Sequence, residues 1–306
     1  MSEVDLRVQV AGVAFKNPII GNSGVFGFGR ELNEFFPIET LGGISCKGTT
    51  LHARQGNPPP RIAETAAGML NSVGLQNPGV DRVIQAELPF LEAKDIVVIA
   101  NIAGSSMDEY VAVAEKMNAS AGVHMIELNI SCPNVRQGGA EFGCAPEPAE
   151  KITAAVRRVI TKPLIVKLSP NVSRIGEIAA AVEGAGADAV SLINCIMGMR
   201  IDIHSRRPVL RNNTGGLSGP AVFPVAVRMV HEVYRRVSIP IIGMGGVASA
   251  QDVVEMMLAG AAAVGVGTAA LADPLAPERI IDGLRDFAKQ EGISRIAELT
   301  GQVKLW

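Results

Sequence analysis

Short apolar runs recur along the chain at 19–22, 43–47, 97–101, 125–129, 164–168, 189–194, 239–243 and 262–267. Each is apolar at successive rather than alternate positions, as a strand covered on both faces requires. Helical periodicity fills the intervals at 106–117, 147–160, 173–183, 220–236 and 249–258. Ser106-Met107-Asp108-Glu109 has the form of a capping box and opens the first of these helices. Repeated strand–helix units predict an α/β fold with a parallel sheet. Eight units favour a closed (β/α)8 TIM barrel over an open doubly wound sheet.

Before the first run, apolar stretches at 4–10 and 13–15 flank Ala11-Gly12 and predict an N-terminal β-hairpin closing the barrel bottom. Two connections, 48–96 and 195–238, are long and rich in Gly, Pro and Asn. Long connections in a compact domain are usually functional, and these belong at the C-terminal face. No linker, repeat or low-complexity segment divides residues 1–306, which predicts a single domain.

Composition narrows the class. The 28 Lys and Arg nearly balance the 30 Asp and Glu, for a net charge of −2. That balance argues against a nucleic-acid or anionic-membrane surface. Hydrophobic residues make up 48% of the chain, enough for a large core. Cysteines fall at 46, 132, 144 and 195, and none forms a C-x-x-C pair. The sequence therefore spells neither an iron–sulfur cluster nor a structural zinc site, and the scattered thiols favour a reducing compartment. The charged N-terminus has no signal-peptide run, and no apolar stretch reaches membrane-spanning length. A soluble cytoplasmic protein is expected.

In such barrels the chemistry sits at the C-terminal ends of the strands. Ser23, Lys47, Asn101, Asn129, Lys167 and Asn194 end or follow the first six runs, and Gly245-Gly246 and Gly267-Thr268 follow the last two. Asparagines and glycines end many strands for purely local reasons. Two lysines completing apolar strands are harder to dismiss, because lysine is rarely buried without a partner. Open glycine backbone after strands seven and eight suits a phosphate group, so a phosphorylated ligand across the mouth is expected. Cys132 follows strand four in a polar loop; a thiol beside cationic groups can serve as an acid–base residue. Cys46 and Cys144 read as structural. His52, His124, His204 and His231 show no metal spacing. Gly216-Leu217-Ser218-Gly219 lacks the spacing of a nucleophile elbow.

These residues lie in stretches that are together highly specific: NPIIGNSGVFGFG at 17–29, GMLNSVGLQNPG at 68–79, ELNISCPN at 127–134 and VKLSPN at 166–171. Gly198-Met199-Arg200, TGGLSGPA at 214–221 and PIIGMGGV at 240–247 continue them. Over nearly its whole length the chain resembles the dihydroorotate dehydrogenases, and within them the class 1B catalytic subunits. The resemblance implies FMN over the barrel mouth. The FMN phosphate would meet Gly245, Gly246, Gly267 and Thr268, with Gly219 nearby. Ser23, Lys47, Gly48, Asn101, Asn129, Lys167 and Ile193 would contact the rest of the cofactor. Lys167 would stabilise negative charge on the reduced flavin. The substrate would be held by Lys47, Asn71, Ser72, Val73, Gly74, Leu75, Asn129, Asn194 and Cys195. Cys132 would take the C5 proton of dihydroorotate while a hydride leaves C6 for flavin N5. The family pattern after Asn194 is threonine, and Cys195 departs from it with a weaker hydrogen-bonding group.

The resemblance also implies a separate electron-transfer subunit carrying FAD and a [2Fe–2S] cluster, with two catalytic and two partner chains forming a heterotetramer around a homodimer of this chain. No G-x-G-x-x-G lies between a strand and a helix, so no nicotinamide site is spelled here. The alternatives are a fumarate-dependent class 1A-like enzyme, a dihydropyrimidine dehydrogenase-like FMN enzyme, and a Schiff-base lyase using Lys167 or Lys47.

Overall fold

The computed structural model describes residues 4–131 and 142–306. Its centre is a closed barrel of eight parallel strands. In chain order they are Ile19–Gly21, Gly43–Ser45, Val97–Ile102, Met125–Asn129, Leu164–Lys167, Ala189–Leu192, Ile241–Met244 and Ala263–Val266. Each pairs with its neighbours in sequence, and strand eight closes on strand one through Gly265↔Ile20. All eight expected strands are present; the seventh begins two residues later than its apolar run suggested. Nearly every strand position is buried, which explains why these segments read as uninterrupted apolar runs.

The helices cover the outside. Met107–Ala119 is opened by Ser106, whose hydroxyl accepts from the Glu109 N–H at 3.3 Å. The expected box is only half formed, because the Glu109 carboxylate accepts from Ser105 N–H instead. A complete capping box stands at Ser249 and Asp252, opening Ala250–Leu258. Along Met107–Ala119, Tyr110, Val113, Ala114 and Met117 are buried, the i, i+3, i+4, i+7 stripe that packs a helix onto a sheet. The last helix, Ala276–Gln290, was not among the predicted elements.

The hairpin Val8–Val10/Val13–Phe15 forms as expected. The Phe15 ring lies so close beneath strand two that a Cβ on Gly43 would come within 2.7 Å of it. That contact places the hairpin at the N-terminal end of the barrel.

The two long connections hold more structure than their composition suggested. Ile62–Thr65 and Gly68–Asn71 from the first join Ile196–Gly198 and Gly215–Ser218 from the second. Together they make a four-stranded antiparallel sheet. The sheet belongs to connections leaving strands two and six, so it stands beside the barrel mouth.

Candidate active site

Strand register assembles the floor of the site. Asn101 pairs with Glu127, Asn129 with Lys167, and Lys167 with Ser191. Alternation along each strand then directs Ser45, Asn101, Glu127, Asn129, Lys167 and Ser191 to the barrel interior. All six are buried. The result is a buried polar layer just below the mouth.

Glu127 is the centre of that layer. Ser45 Oγ donates to its Oε2 at 2.7 Å, and Ser191 Oγ donates to its Oε1 at 2.7 Å. Asn101 Nδ2 also donates to Oε2. Lys167 Nζ lies 3.9 Å from Oε2, with both side chains almost wholly buried. Burial alone would raise the Glu127 carboxyl, but the Lys167 charge and the three hydrogen bonds outweigh it and hold the group below its ordinary value. Cys46 beside this layer is pushed up to about 12 by burial and by the Glu127 charge, so it is an inert thiol.

Above the layer the amides interlock. Asn129 Nδ2 donates to Asn101 Oδ1 at 3.4 Å, and Asn129 Oδ1 accepts from Ser131 N–H and Oγ at 3.2 and 3.0 Å. Asn194 Nδ2 donates to Ser131 Oγ at 2.9 Å. The Tyr110 hydroxyl reaches in from its helix to donate to the Asn129 carbonyl at 2.7 Å. Ser131 thus ties strands four and six together at the residue before Cys132. Cys132 itself lies outside the described residues.

A single cleft opens over this framework. Its walls include Ser23, Lys47, Gly48, Asn129, Lys167, Ile193, Asn194 and Cys195 from the barrel rim. Asn71, Val73, Gly74 and Leu75 join from the first long connection, and Gly245, Gly246, Gly267 and Thr268 from the last two strands. Sixteen of the nineteen expected cofactor- and substrate-contact positions therefore converge on one surface, sixteen being those just named. Three do not line it. Asn101 is fully buried beneath, where its Oδ1 would be 2.9 Å from a Cβ on Gly48. Ser72 is fully buried behind the wall, held by Asn57 Nδ2 at 3.1 Å. Gly219 lines an adjoining pocket shared with Gly246 and Thr268.

At the Cys195 corner, Asn71 Nδ2 donates to the thiol sulfur at 3.7 Å and to the Gly216 carbonyl at 3.4 Å. Burial raises the Cys195 thiol, against the opposing pull of Asn71 and the Lys167 charge. It stays protonated at neutral pH. Asn171 Nδ2 holds the Cys195 carbonyl at 3.0 Å, bracing the segment from behind.

The edge beyond strand seven is backbone. Gly245 and Gly246 have φ values of 125° and 81°, which side-chain-bearing residues rarely adopt. A Cβ on Gly246 would come within 2.7 Å of the Gly219 carbonyl oxygen. The bare backbone forms a cradle into which a ligand's anionic end could settle, and Lys47 and Lys167 line other parts of the same cleft. Asn22, between strand one and this edge, has a buried Oδ1 with no hydrogen-bond partner among the described residues. A cradle, an orphaned amide oxygen and two lysines fit a long cofactor with a phosphate at one end and a polar ring at the other.

Sequence reasoning singled out neither Glu127, Ser131, Ser191 nor Asn22. A carboxylate inside a buried strand is itself a signal, since such a charge needs partners. Among the described residues no group of three or more His, Cys, Asp and Glu could hold a metal ion.

Fold and cleft together define a (β/α)8-barrel enzyme working at the C-terminal mouth of its strands. The family model described as dihydroorotate dehydrogenase matches residues 5–287. The chain is 54% identical over 297 residues to a Bacillus cytotoxicus protein named dihydroorotate dehydrogenase B (NAD(+)), catalytic subunit, covering 97% of this chain and 96% of that one. A Bacillus pumilus protein of the same name matches with the same identity and coverage. In fold, the chain resembles a crystal structure of DHODH from Eimeria tenella in complex with ferulenol, with a TM-score of 0.82 and 22% identity over 97% of this chain and 88% of that one. The chain belongs to the dihydroorotate dehydrogenase family.

Proposed function

We infer that this chain is the catalytic subunit of an NAD-linked dihydroorotate dehydrogenase, oxidising (S)-dihydroorotate to orotate in de novo pyrimidine (UMP) biosynthesis. The observation that carries the reading is the convergence of Lys47, Lys167, Asn129 and Asn194 on a cleft that also holds a glycine cradle. The high identity to proteins named as catalytic subunits of this enzyme supports it.

FMN is the cofactor in this reading, and when bound it accepts the hydride that leaves substrate C6. Gly245, Gly246, Gly267 and Thr268 would hold its phosphate through backbone N–H groups, with Gly219 adjacent. Thr268 Oγ1 already donates to Ser218 Oγ at 2.9 Å, which fixes the start of that loop. Lys167 and Lys47 supply fixed positive charge at the polar end, where electrostatic stabilisation requires no reorganisation. Lys47, Asn71, Asn129 and Asn194 would orient the substrate carboxylate and ring amides. Cys132 removes the C5 proton. Ser131, tied to Asn129 and Asn194, sets where the chain carrying Cys132 leaves strand four.

Electrons then leave through a partner subunit carrying FAD and a [2Fe–2S] cluster, in a heterotetramer built on a homodimer of this chain. The word "subunit" in the relatives' names supports a partner. No helix among the described residues is long and apolar enough to cross a membrane. A cytoplasmic location accords with this reading. The purified FMN-loaded chain should reduce artificial dyes with dihydroorotate but fail to reduce NAD, and adding the partner should restore NAD reduction. Robust NAD reduction by the chain alone, or efficient turnover with fumarate, would contradict the electron path.

A further inference from the structure

We propose that Glu127 is a positioning residue: a buried carboxylate that fixes the Lys167 ammonium beneath the cleft and sets how strongly a bound flavin feels its charge. The proposal rests on the reading of Lys167 as a flavin contact.

Three observations carry it. Lys167 lines the cleft and Glu127 does not, so Glu127 reaches a ligand without contact, through its field and through the ammonium it holds. Glu127 is the partner of Lys167's one ion pair among the described residues. The separation of 3.9 Å is beyond hydrogen-bond range, so the carboxylate attracts the ammonium without taking its protons. Those protons remain available to the cleft.

The carboxylate is also immobilised far more than charge balance alone needs. Hydroxyls from strands two and six and an amide from strand three converge on its two oxygens. An aliphatic residue would fill the same interior position without burying any charge, and buried ion pairs are often no more stable than apolar replacements. The arrangement makes physical sense as a device that tunes a cation. An unopposed Lys167 would favour the more negatively charged, two-electron-reduced cofactor strongly. A negative charge held at fixed distance moderates that preference and so lowers the reduction potential.

The test is the midpoint potential of FMN bound to the chain, measured by equilibration with reference dyes. Glu127→Gln keeps shape and an acceptor oxygen while removing the charge. It should shift the reduction equilibrium about tenfold toward the reduced cofactor, an upward move of about 30 mV for a two-electron couple. In a Lys167→Gln background the same substitution should have a much smaller effect, the non-additivity expected of residues acting as a pair. Lys167→Gln alone should lower the potential. If it does, and Glu127→Gln leaves the potential unchanged, the proposal is wrong and the reading of Lys167 stands. If neither substitution moves the potential, the Lys167 reading fails and takes the proposal with it. Should Glu127→Gln not fold, Ser191→Ala provides the second probe. It removes the donor to Oε1, leaves the carboxylate less compensated, and should lower the potential. An unchanged potential in that variant overturns the proposal equally.

Discussion

The mouth of the barrel has two halves built on opposite logic. Strands two to six present side chains: lysines, amides and hydroxyls standing on a polar layer that Glu127 organises. Strands seven and eight contribute mainly glycine backbone, after strand seven in conformations that other residues rarely adopt, with Thr268 the polar side chain among them. The first half can place charges and protons at chosen points, which is what bond-making chemistry needs. The second offers backbone N–H groups, one hydroxyl and space, which is what holding a phosphate needs. Substitutions in the two halves should therefore fail differently, one in rate and the other in cofactor retention.

The sharpest test of that division is Cys132→Ser on the chemical side. A serine hydroxyl is a far weaker base, so flavin reduction by dihydroorotate should slow by ~10²-fold or more at neutral pH and recover partly in alkali. FMN content should be unchanged. Near-normal half-reaction kinetics would remove Cys132 from its role.

Gly246→Ala probes the backbone half. The added methyl meets the Gly219 carbonyl and Phe223, in a left-handed conformation that strains alanine. FMN affinity should fall by roughly tenfold or more while the barrel's circular dichroism is retained, a loss equivalent to about 1.4 kcal/mol. Retained affinity with a slowed chemical step would erase the proposed division.

Smaller effects are expected at the seam. Cys195→Thr restores a hydroxyl where Asn71 now donates to sulfur. Substrate KM should change by no more than about fivefold with kcat nearly constant, since one neutral hydrogen bond is worth only about 1 kcal/mol. A large change in kcat would place this corner in the chemistry.

The smallest effect concerns acid stability. The Glu127 carboxyl is held below its unfolded value, so its contribution to folding is complete above that value and is lost as pH falls through the folded one. Below about pH 4.5, the melting temperature of the wild-type chain should therefore fall more steeply than that of Glu127→Gln, the unfolded carboxyl titrating near that value. Parallel slopes in a series of thermal melts would show that Glu127 is not stabilised in its charged form.

The same division explains what could be read from sequence. Buried strands write themselves as apolar runs, so all eight were legible, as were the lysines and amides that interrupt their ends. The sheet beside the mouth was not. Ile62–Thr65 alternates exposed and half-buried positions, and Gly215–Ser218 begins with two glycines, so neither carries the apolar signature of the barrel. The helix Ala276–Gln290 was legible in principle, since Ile280, Ile281, Leu284 and Ala288 form its buried stripe. Glu127 opens the ELNISCPN stretch, yet its role depends on Ser45, Asn101 and Ser191 from three other strands. No local pattern reports such a meeting. Likewise Asn101 and Ser72 occupy expected contact positions in the chain, but burial sets them behind the surface they support.

The central claim is that this cleft oxidises dihydroorotate on a bound flavin. Mixing the purified, FMN-loaded chain with dihydroorotate under anaerobic conditions tests it in one step. The account predicts rapid bleaching of the flavin absorbance with formation of orotate, and no comparable bleaching with dihydrouracil. A spectrum that dihydroorotate leaves unchanged, or that dihydrouracil bleaches preferentially, would contradict it.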